Sequence, residues 1–511
     1  MKPRRNNTGG IRLFIVVLAI LAQLVLFAYF AMWLRHFAFY AYAFFEVFGL
    51  IMAFSIIEKH KNSAYTLAWV IIILIMPIYG SIIYIMWGRS GTNTKKSRRI
   101  RNIMSESLKR FTHGSELRLE LQERYPNYNK ISVYLEKEGF PLYKNTRCTY
   151  YPLGELQFEA MIEDLKKAQK FIFLEYYILS KGYLWDKIHA ILKEKAAEGV
   201  EVRLLYDDFG SILTVPDNLI KTLKDENIQV YRFNPVYSSL SRLYINYRNH
   251  QKIAVIDGII GYTGGTNLAD EYANLYERYG HWKDTAIRLE GEAVYSLTVT
   301  FLQMWETESN QKEDYEAYRP VLNEPIPDHG FYQPFNDGPV NHPSNPAESV
   351  YRQILYSAHD YVYITTPYLV VEDSMTDALC LAASSGIDVR IITPRVWDRW
   401  YVHMVTRSNY GRLLENGVRI YEYTPGYIHA KTIISDDIHA VTGSINMDYR
   451  SFYLHFENGV WICGASVLQD IRQDIESLFL ISDEITLEKW KHRPLHLKII
   501  QSLLRVLIPL L

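Results

Sequence analysis

Cysteine is scarce. The three in 511 residues, Cys148, Cys380 and Cys463, lie far apart and form no C-x-x-C pair. They cannot build a disulfide framework or a cysteine-rich metal site, and they read as buried thiols. Neither H-E-x-x-H nor G-x-x-x-x-G-K-[ST] occurs, which argues against a helical zinc-hydrolase site and against a loop that cradles nucleotide phosphates. An excess of charge of either sign is missing as well. Lys and Arg number 55 against 56 Asp and Glu, a formal net charge of -1. A dedicated nucleic-acid binder carries a basic field, so no nucleic-acid partner is expected.

Apolar residues are plentiful, at 49% of the chain, and they crowd the front. Residues 13–34 are apolar apart from Gln23, long enough for a helix to cross ~30 Å of hydrocarbon. A second run, 65–87, contains Pro77 and Gly80 and has Trp69 and Trp87 near its ends, the placement of interfacial anchors. Between them, 37–57 is also long enough to span but carries Glu46 near its middle. Lys2, Arg4, Arg5 and Arg12 precede the first run, and Arg89, Lys95, Lys96, Arg98, Arg99 and Arg101 follow the last. The positive-inside rule wants both clusters cytoplasmic. Two crossings with 37–57 re-entrant meet that condition; three crossings are the alternative. Residues 1–88 are thus expected as a multi-pass anchor in a bilayer, followed by a charged helical connector over 89–145.

The rest of the chain repeats itself. AAEGVEVRLLYDD (Ala196–Asp208) is echoed by AASSGIDVRIITPR (Ala382–Arg395), KFIFLEYYIL (Lys170–Leu179) by DYVYITTPYL (Asp360–Leu369), and NIQVYRFNP (Asn227–Pro235) by NGVRIYEYTP (Asn416–Pro425). Strand, helix, strand, helix, strand in each copy predicts two α/β domains, each a mixed or mainly parallel sheet flanked by helices. Pro and charge between Asn310 and Gly330 mark the seam. The copies are therefore placed at 146–325 and 326–511, the second ending in an amphipathic tail from Arg493 that can pack on the body or lie on a membrane.

Each copy holds the same polar constellation. His250, Lys252 and Asp257 are matched by His429, Lys431 and Asp436, with separations of two and seven residues in both; Asn267 and Asn446 follow 17 residues after their histidines, just behind Gly264 and Gly265 or Gly443 and Ser444. A chance H-x-K-x-x-x-x-D is expected on the order of 0.04 times in such a chain, so two are not noise. Alternation in H-x-K puts both side chains on one face of a strand. Lysine suits a phosphate oxygen, and an amide donor nearby suits charge developing at phosphorus. Histidine is a competent nucleophile or general acid/base near neutral pH, and two can divide these roles. Asp257 and Asp436 fall an odd number of residues from the His/Lys face and read as orienting or structural groups. The lysines oppose a bound cation, so neither a metal nor another cofactor is expected. His439, with no motif around it, reads as structural.

Two H-x-K-x-x-x-x-D motifs, each with a downstream G-x-x-N, resemble the phospholipase D superfamily. NHQKIAVIDG, GYTGGTNLADEY, HWKDTAIRLEG, ITTPYL and MDYRSFYLHFEN, behind N-terminal hydrophobic segments, are similar to the bacterial cardiolipin synthases along nearly the whole chain. The resemblance implies one active site between two pseudo-symmetric halves and the condensation of two phosphatidylglycerol molecules into cardiolipin and glycerol at a bacterial plasma membrane, with cytoplasmic catalytic domains. It implies a phosphohistidine on His250 and acid/base action by His429, although the repeat alone does not choose between the two. Lys252, Lys431, Asn267 and Asn446 would hold phosphate oxygens, and Asp284 and Glu457 would orient histidines. Gln251 departs from the family, where a basic residue is frequent. A hydrolase of the same superfamily that releases phosphatidic acid is the alternative, and the oligomeric state is open.

Overall fold

Residues 18, 20–29, 38–58, 63–88, 95–111, 115–236, 246–322, 324–340 and 344–507 are described by a computed structural model of the chain. It divides into two compact units, residues 1–90 and 91–509. Half of the first apolar run, and the basic residues ahead of it, lie outside the described residues.

In the first unit, residues Ala38–Ile57 form one helix. The run 65–87 does not form a single helix as its length predicted. It divides into Ser63–Ile75, Pro77–Ile83 and a π-helical turn Tyr84–Gly88. The break falls at Met76, because Pro77 has no N–H to donate and its ring displaces the preceding turn. Trp69 is no interfacial anchor here: it is buried with Ile56, Ile73 and Tyr84 in a small core. Among the described residues no helix is long and apolar enough to cross a membrane.

The second unit is built on two sheets. The strands of the first repeat are β1 (Thr146–Tyr151), β2 (Phe171–Tyr176), β3 (Glu201–Asp207), β4 (Gln229–Phe233), β5 (Arg248–Asn249), β6 (Ile253–Ile256), β7 (Ile260–Gly264), β8 (His281–Lys283) and β9 (Ala286–Gly291). Those of the second are β10 (Phe331–Asp337), β11 (Tyr361–Thr365), β12 (Leu369–Val370), β13 (Asp388–Pro394), β14 (Arg419–Tyr423), β15 (Gly426–Ile428), β16 (Thr432–Ser435), β17 (His439–Gly443), β18 (Met447–Asp448), β19 (His455–Cys463) and β20 (Ser482–Ile485). The order β1-β9-β7-β6-β2-β3-β4 is repeated as β10-β19-β17-β16-β11-β13-β14, to which β20 adds an edge. The sheets are mixed, but antiparallel pairing predominates, contrary to the mainly parallel expectation. Within these two orders only β2-β3-β4 and β11-β13-β14 run parallel, as neighbours joined by helical crossovers can. Short turns link β6 to β7 and β16 to β17 and force antiparallel hairpins there.

The helix Val294–Ser309 is buried at all but three of its 16 positions. A helix apolar on most sides needs partners on most sides. It lies in a core cluster that draws Phe173 and Ile287 from the first repeat and Tyr332, Tyr363 and Ile462 from the second. The segment expected as a connector also packs on this body. Its helix Lys95–Leu108 pairs Lys96 with Glu308 at 2.7 Å, and Arg99 donates to the Glu306 carbonyl at 2.8 Å.

The motif aspartates sit in the β6–β7 and β16–β17 turns with positive φ, +54° for Asp257 and +56° for Asp436. Asp257 accepts backbone N–H bonds from Gln169, Lys170 and Phe171 at 2.7–2.9 Å. Asp436 accepts three at 2.9 Å from His359, Asp360 and Tyr361. Each carboxylate thereby ties the hairpin turn to the start of the neighbouring strand. Asp436→Ala should destabilise the protein by about 2 kcal/mol through lost charged hydrogen bonds and an unfavourable positive φ. Asp436→Asn, which tolerates that backbone and keeps one acceptor, should lose less. Thermal unfolding checks this; an unchanged midpoint for the alanine variant, coupled to lost activity, would place Asp436 in the chemistry instead.

Candidate active site

The histidines are delivered by strands that leave their own sheet. β5 pairs in parallel with the start of β19, matching Arg248 with His455 and Asn249 with Phe456. The next residues along the two chains are His250 and Glu457. β8 pairs in parallel with β15, matching Tyr427 with Trp282 and Ile428 with Lys283, and the next residues are His429 and Asp284. Backbone bonds close both steps, from His250 N–H to the Phe456 carbonyl at 2.9 Å and from His429 N–H to the Lys283 carbonyl at 2.7 Å.

Each imidazole therefore meets a carboxylate from the other repeat. His250 Nδ1 lies 2.9 and 3.0 Å from the two Glu457 oxygens, and His429 Nδ1 lies 2.7 Å from Asp284 Oδ2. A carboxylate only accepts, so Nδ1 donates in both rings and Nε2 keeps the lone pair that chemistry needs. The small residues of the downstream motif make room for this. A Cβ on Gly265 would stand 2.0 Å from Asp284 Oδ1. At the matching position of the second repeat Ser444 has a side chain, and its hydroxyl donates to the Glu457 carboxylate.

The expected H-x-K strand does not form. His250, Gln251 and Lys252, like His429, Ala430 and Lys431, occupy irregular links between two short strands. The chain there switches from pairing with the other repeat to pairing within its own sheet, which interrupts the ladder. The lysines still return to their histidines: Lys252 donates to the His250 carbonyl, and Lys431 Nζ lies 2.7 Å from His429 Nδ1 while donating to the His429 carbonyl. β5 itself is held by Asp207 at the end of β3, which accepts from Asn249 N–H at 2.9 Å and pairs with Arg248 at 3.3 Å, all three buried.

Asn267 and Asn446 are buried. Asn267 Oδ1 accepts from Ile178 N–H at 3.0 Å, leaving its amide nitrogen as the group it can offer, and Asn446 Oδ1 has no partner among the described residues. Asp257 and Asp436 do not join this group, since each is separated from its H-x-K segment by the four residues of β6 or β16. His439 is a core residue, accepting from Trp461 Nε1 at 3.2 Å.

Two aromatic neighbours and a third histidine escaped the motif pattern. Tyr177 stacks edge-on to His250 with ring centroids 4.9 Å apart, and Trp282 lies 5.5 Å from His429. His455 lies 5.4 Å from His250. It stands two residues before Glu457, as Trp282 stands two before Asp284, and that spacing is the signal in the sequence that could have found it. His250, His455 and Glu457 each present one ligand atom within 4.8 Å of the others, so donors for a divalent ion exist at this place, although the Lys252 charge opposes one.

Burial governs the protonation states. It pushes His250 well below 6.5, helped by the charges of Lys252, Lys431 and His429. His429 falls to about 4 through burial and Lys431, with Asp284 pulling it back up. Lys252 drops to about 7 and Lys431 to about 8, again chiefly by burial. The mutual reach of these charges puts both histidines and both lysines in one electrostatic site. Imidazoles beside lysines offer a nucleophile or acid/base together with cations for an anion.

The family model described as "Cardiolipin synthase, PLD-like domain" matches residues 161–305 and 351–479, and "Phospholipase D-nuclease N-terminal" matches 39–89. A cardiolipin synthase of Oceanobacillus iheyensis is 31% identical, covering 91% of this chain and 98% of its own length. One from Listeria monocytogenes serotype 4b is 31% identical over 90% of the chain and 96% of its own. An uncharacterized protein of Streptococcus mutans is 38% identical over 89% and 98%. Among solved structures, phosphatidylserine synthase of Haemophilus influenzae shares the fold, with a TM-score of 0.58 at 15% identity, over 74% of this chain and 96% of that one.

The lysines make anion binding pH-dependent with a definite sign. As pH rises through about 7 to 8 the free protein loses the Lys252 and Lys431 charges, so affinity for a phosphodiester should fall. Dimethyl phosphate keeps constant charge over this range and reports the effect by calorimetry. Up to about tenfold weakening per pH unit is expected, and affinity unchanged to pH 10 would contradict it.

Proposed function

We propose that the chain, which belongs to the phospholipase D-like cardiolipin synthase family, condenses two phosphatidylglycerol molecules into cardiolipin and free glycerol. It is an enzyme of the phosphatidyltransferase type. The observation that carries the reading is the reciprocal pairing of His250 with Glu457 and of His429 with Asp284.

His250 Nε2 attacks the phosphorus of one phosphatidylglycerol. The bond from phosphorus to the glycerol oxygen breaks as His429 gives that oxygen a proton, leaving a phosphatidyl group on His250. A terminal hydroxyl of a second phosphatidylglycerol then attacks, its proton passing to His429 and the phosphorus–nitrogen bond breaking. Lys252, Lys431, Asn267 and Asn446 hold the phosphoryl oxygens, where charge develops. Burial and the lysine charges favour the neutral form of both rings, and each ring carries a carboxylate on Nδ1, so the assignment of His250 as nucleophile follows the family resemblance. Exchange of one phosphodiester for another is close to thermoneutral, so no nucleotide is needed, and the lysines argue for metal-independent chemistry.

Each repeat, 146–325 and 326–511, supplies one motif. The first 88 residues tie the enzyme to the bacterial plasma membrane. Phe44, Ile51, Phe54 and Ile75 are exposed on its helices, an apolar surface that lipid can cover and water cannot favourably cover.

Full-length protein with phosphatidylglycerol vesicles and EDTA should yield cardiolipin and glycerol in equal amounts. Phosphatidic acid alone would show a hydrolase. After denaturation at neutral pH, 32P from labelled lipid should stay on His429→Ala protein, which turns over roughly 10²–10⁴-fold more slowly. His250→Ala should carry no label; the opposite pattern exchanges the two roles.

A further inference from the structure

The reaction involves two phosphates, yet the cluster around His250 and His429 serves only the one that reacts. The acceptor lipid brings a second phosphodiester, three carbons from its attacking hydroxyl. A cavity beside the histidines has the chemistry to hold it. It is lined by Tyr368, Val370, Val402, Asp448, Arg399 and Arg450, among others.

The cavity adjoins the reacting centre through one side chain. Arg450 Nη1 lies 3.5 Å from His455 Nε2, and the His455 ring lies 5.4 Å from that of His250. Arg399 is exposed and Arg450 half-buried, so both can be reached from outside. The Arg399 charge is also felt at His250. Asp448 accepts from Ser451 N–H at 2.7 Å, and Asp398 accepts from the Tyr368 hydroxyl at 2.5 Å and from Arg399 N–H at 2.7 Å. Two arginines in the lining supply the forked N–H donors that a phosphodiester takes.

The segment that carries Arg399 and the helices after it expose apolar side chains. Trp397 and Trp400 flank Arg399 in sequence and are 49% and 51% exposed. The C-terminal helix Leu495–Leu507 packs against the helix Trp400–Ser408 and exposes Leu495, Ile499 and Leu503. Aromatic and aliphatic side chains around a cationic pocket suit the boundary between headgroups and acyl chains.

We propose that Arg399 and Arg450 bind the phosphodiester of the acceptor phosphatidylglycerol and so aim its terminal hydroxyl at the phosphatidyl group on His250. The proposal rests on the transfer reaction above and adds the residues that choose the acceptor. Arginine meets a phosphate with two parallel N–H bonds, and holding the acceptor by its own phosphate raises the effective concentration of its hydroxyl over that of water. Arg399 and Arg450 act as specificity-determining residues for anionic lipid acceptors.

Competition between two acceptors tests this. Full-length protein in mixed micelles of phosphatidylglycerol and detergent, with added ethanol, forms cardiolipin from the phosphate-bearing acceptor and phosphatidylethanol from the acceptor without phosphate. In Arg399→Gln and in Arg450→Gln the ratio of cardiolipin to phosphatidylethanol should fall roughly tenfold or more. An unchanged ratio overturns the proposal and leaves the transfer reaction standing. An equal loss of both products in folded Arg399→Gln also overturns it, because an exposed arginine that only supported the fold or the donor would act that way. Wild-type protein that forms neither product, only phosphatidic acid, would instead remove the underlying reaction.

Discussion

Two short parallel ladders carry the rest of this architecture. At each, three or fewer residues from one repeat pair with a strand of the other, and the ladder ends one step before a histidine on one side and a carboxylate on the other. Parallel pairing sets the two chains running in the same direction, so the residues that follow the last pair must emerge side by side. The two repeats are therefore coupled at their chemistry as well as in their core, and neither can assemble a complete imidazole–carboxylate pair alone.

The site is also buried, and that has two consequences. Burial favours neutral imidazoles and drops both lysines toward neutrality. In the proposed reaction an incoming phosphodiester would reverse the situation, since its negative charge favours the lysine cations and a protonated His429. A buried site also limits water, the competitor of any alcohol for the phosphatidyl group.

Much of this was legible in the sequence. The paired motifs, the repeated strand and helix pattern, and the orienting potential of Asp284 and Glu457 could be read from spacing and from family resemblance. Asp257 and Asp436 were set apart by a strand periodicity that the H-x-K segments do not have, and the structure gives those carboxylates turn-binding partners. Other features were not legible. The H-x-K segment leaves the strand because its neighbours pair across the repeats, and no local pattern announces a ladder with a distant partner. The antiparallel majority in each sheet depends on which strands lie adjacent, and the kink at Met76 shows that apolar length does not ensure a continuous helix. Arg399 carries no motif of its own, and Arg450, although inside MDYRSFYLHFEN, gains its meaning from what it adjoins.

By itself the chain determines which chemical groups occur and how they are spaced: two histidines, two lysines and two asparagines in matched positions, because catalytic geometry within one repeat depends on short-range order. Tertiary structure alone decides that His250 meets Glu457, 207 residues away, and that His429 meets Asp284, 145 residues away. Those contacts are made by backbone pairing between distant strands, whose register depends on how the two sheets pack together.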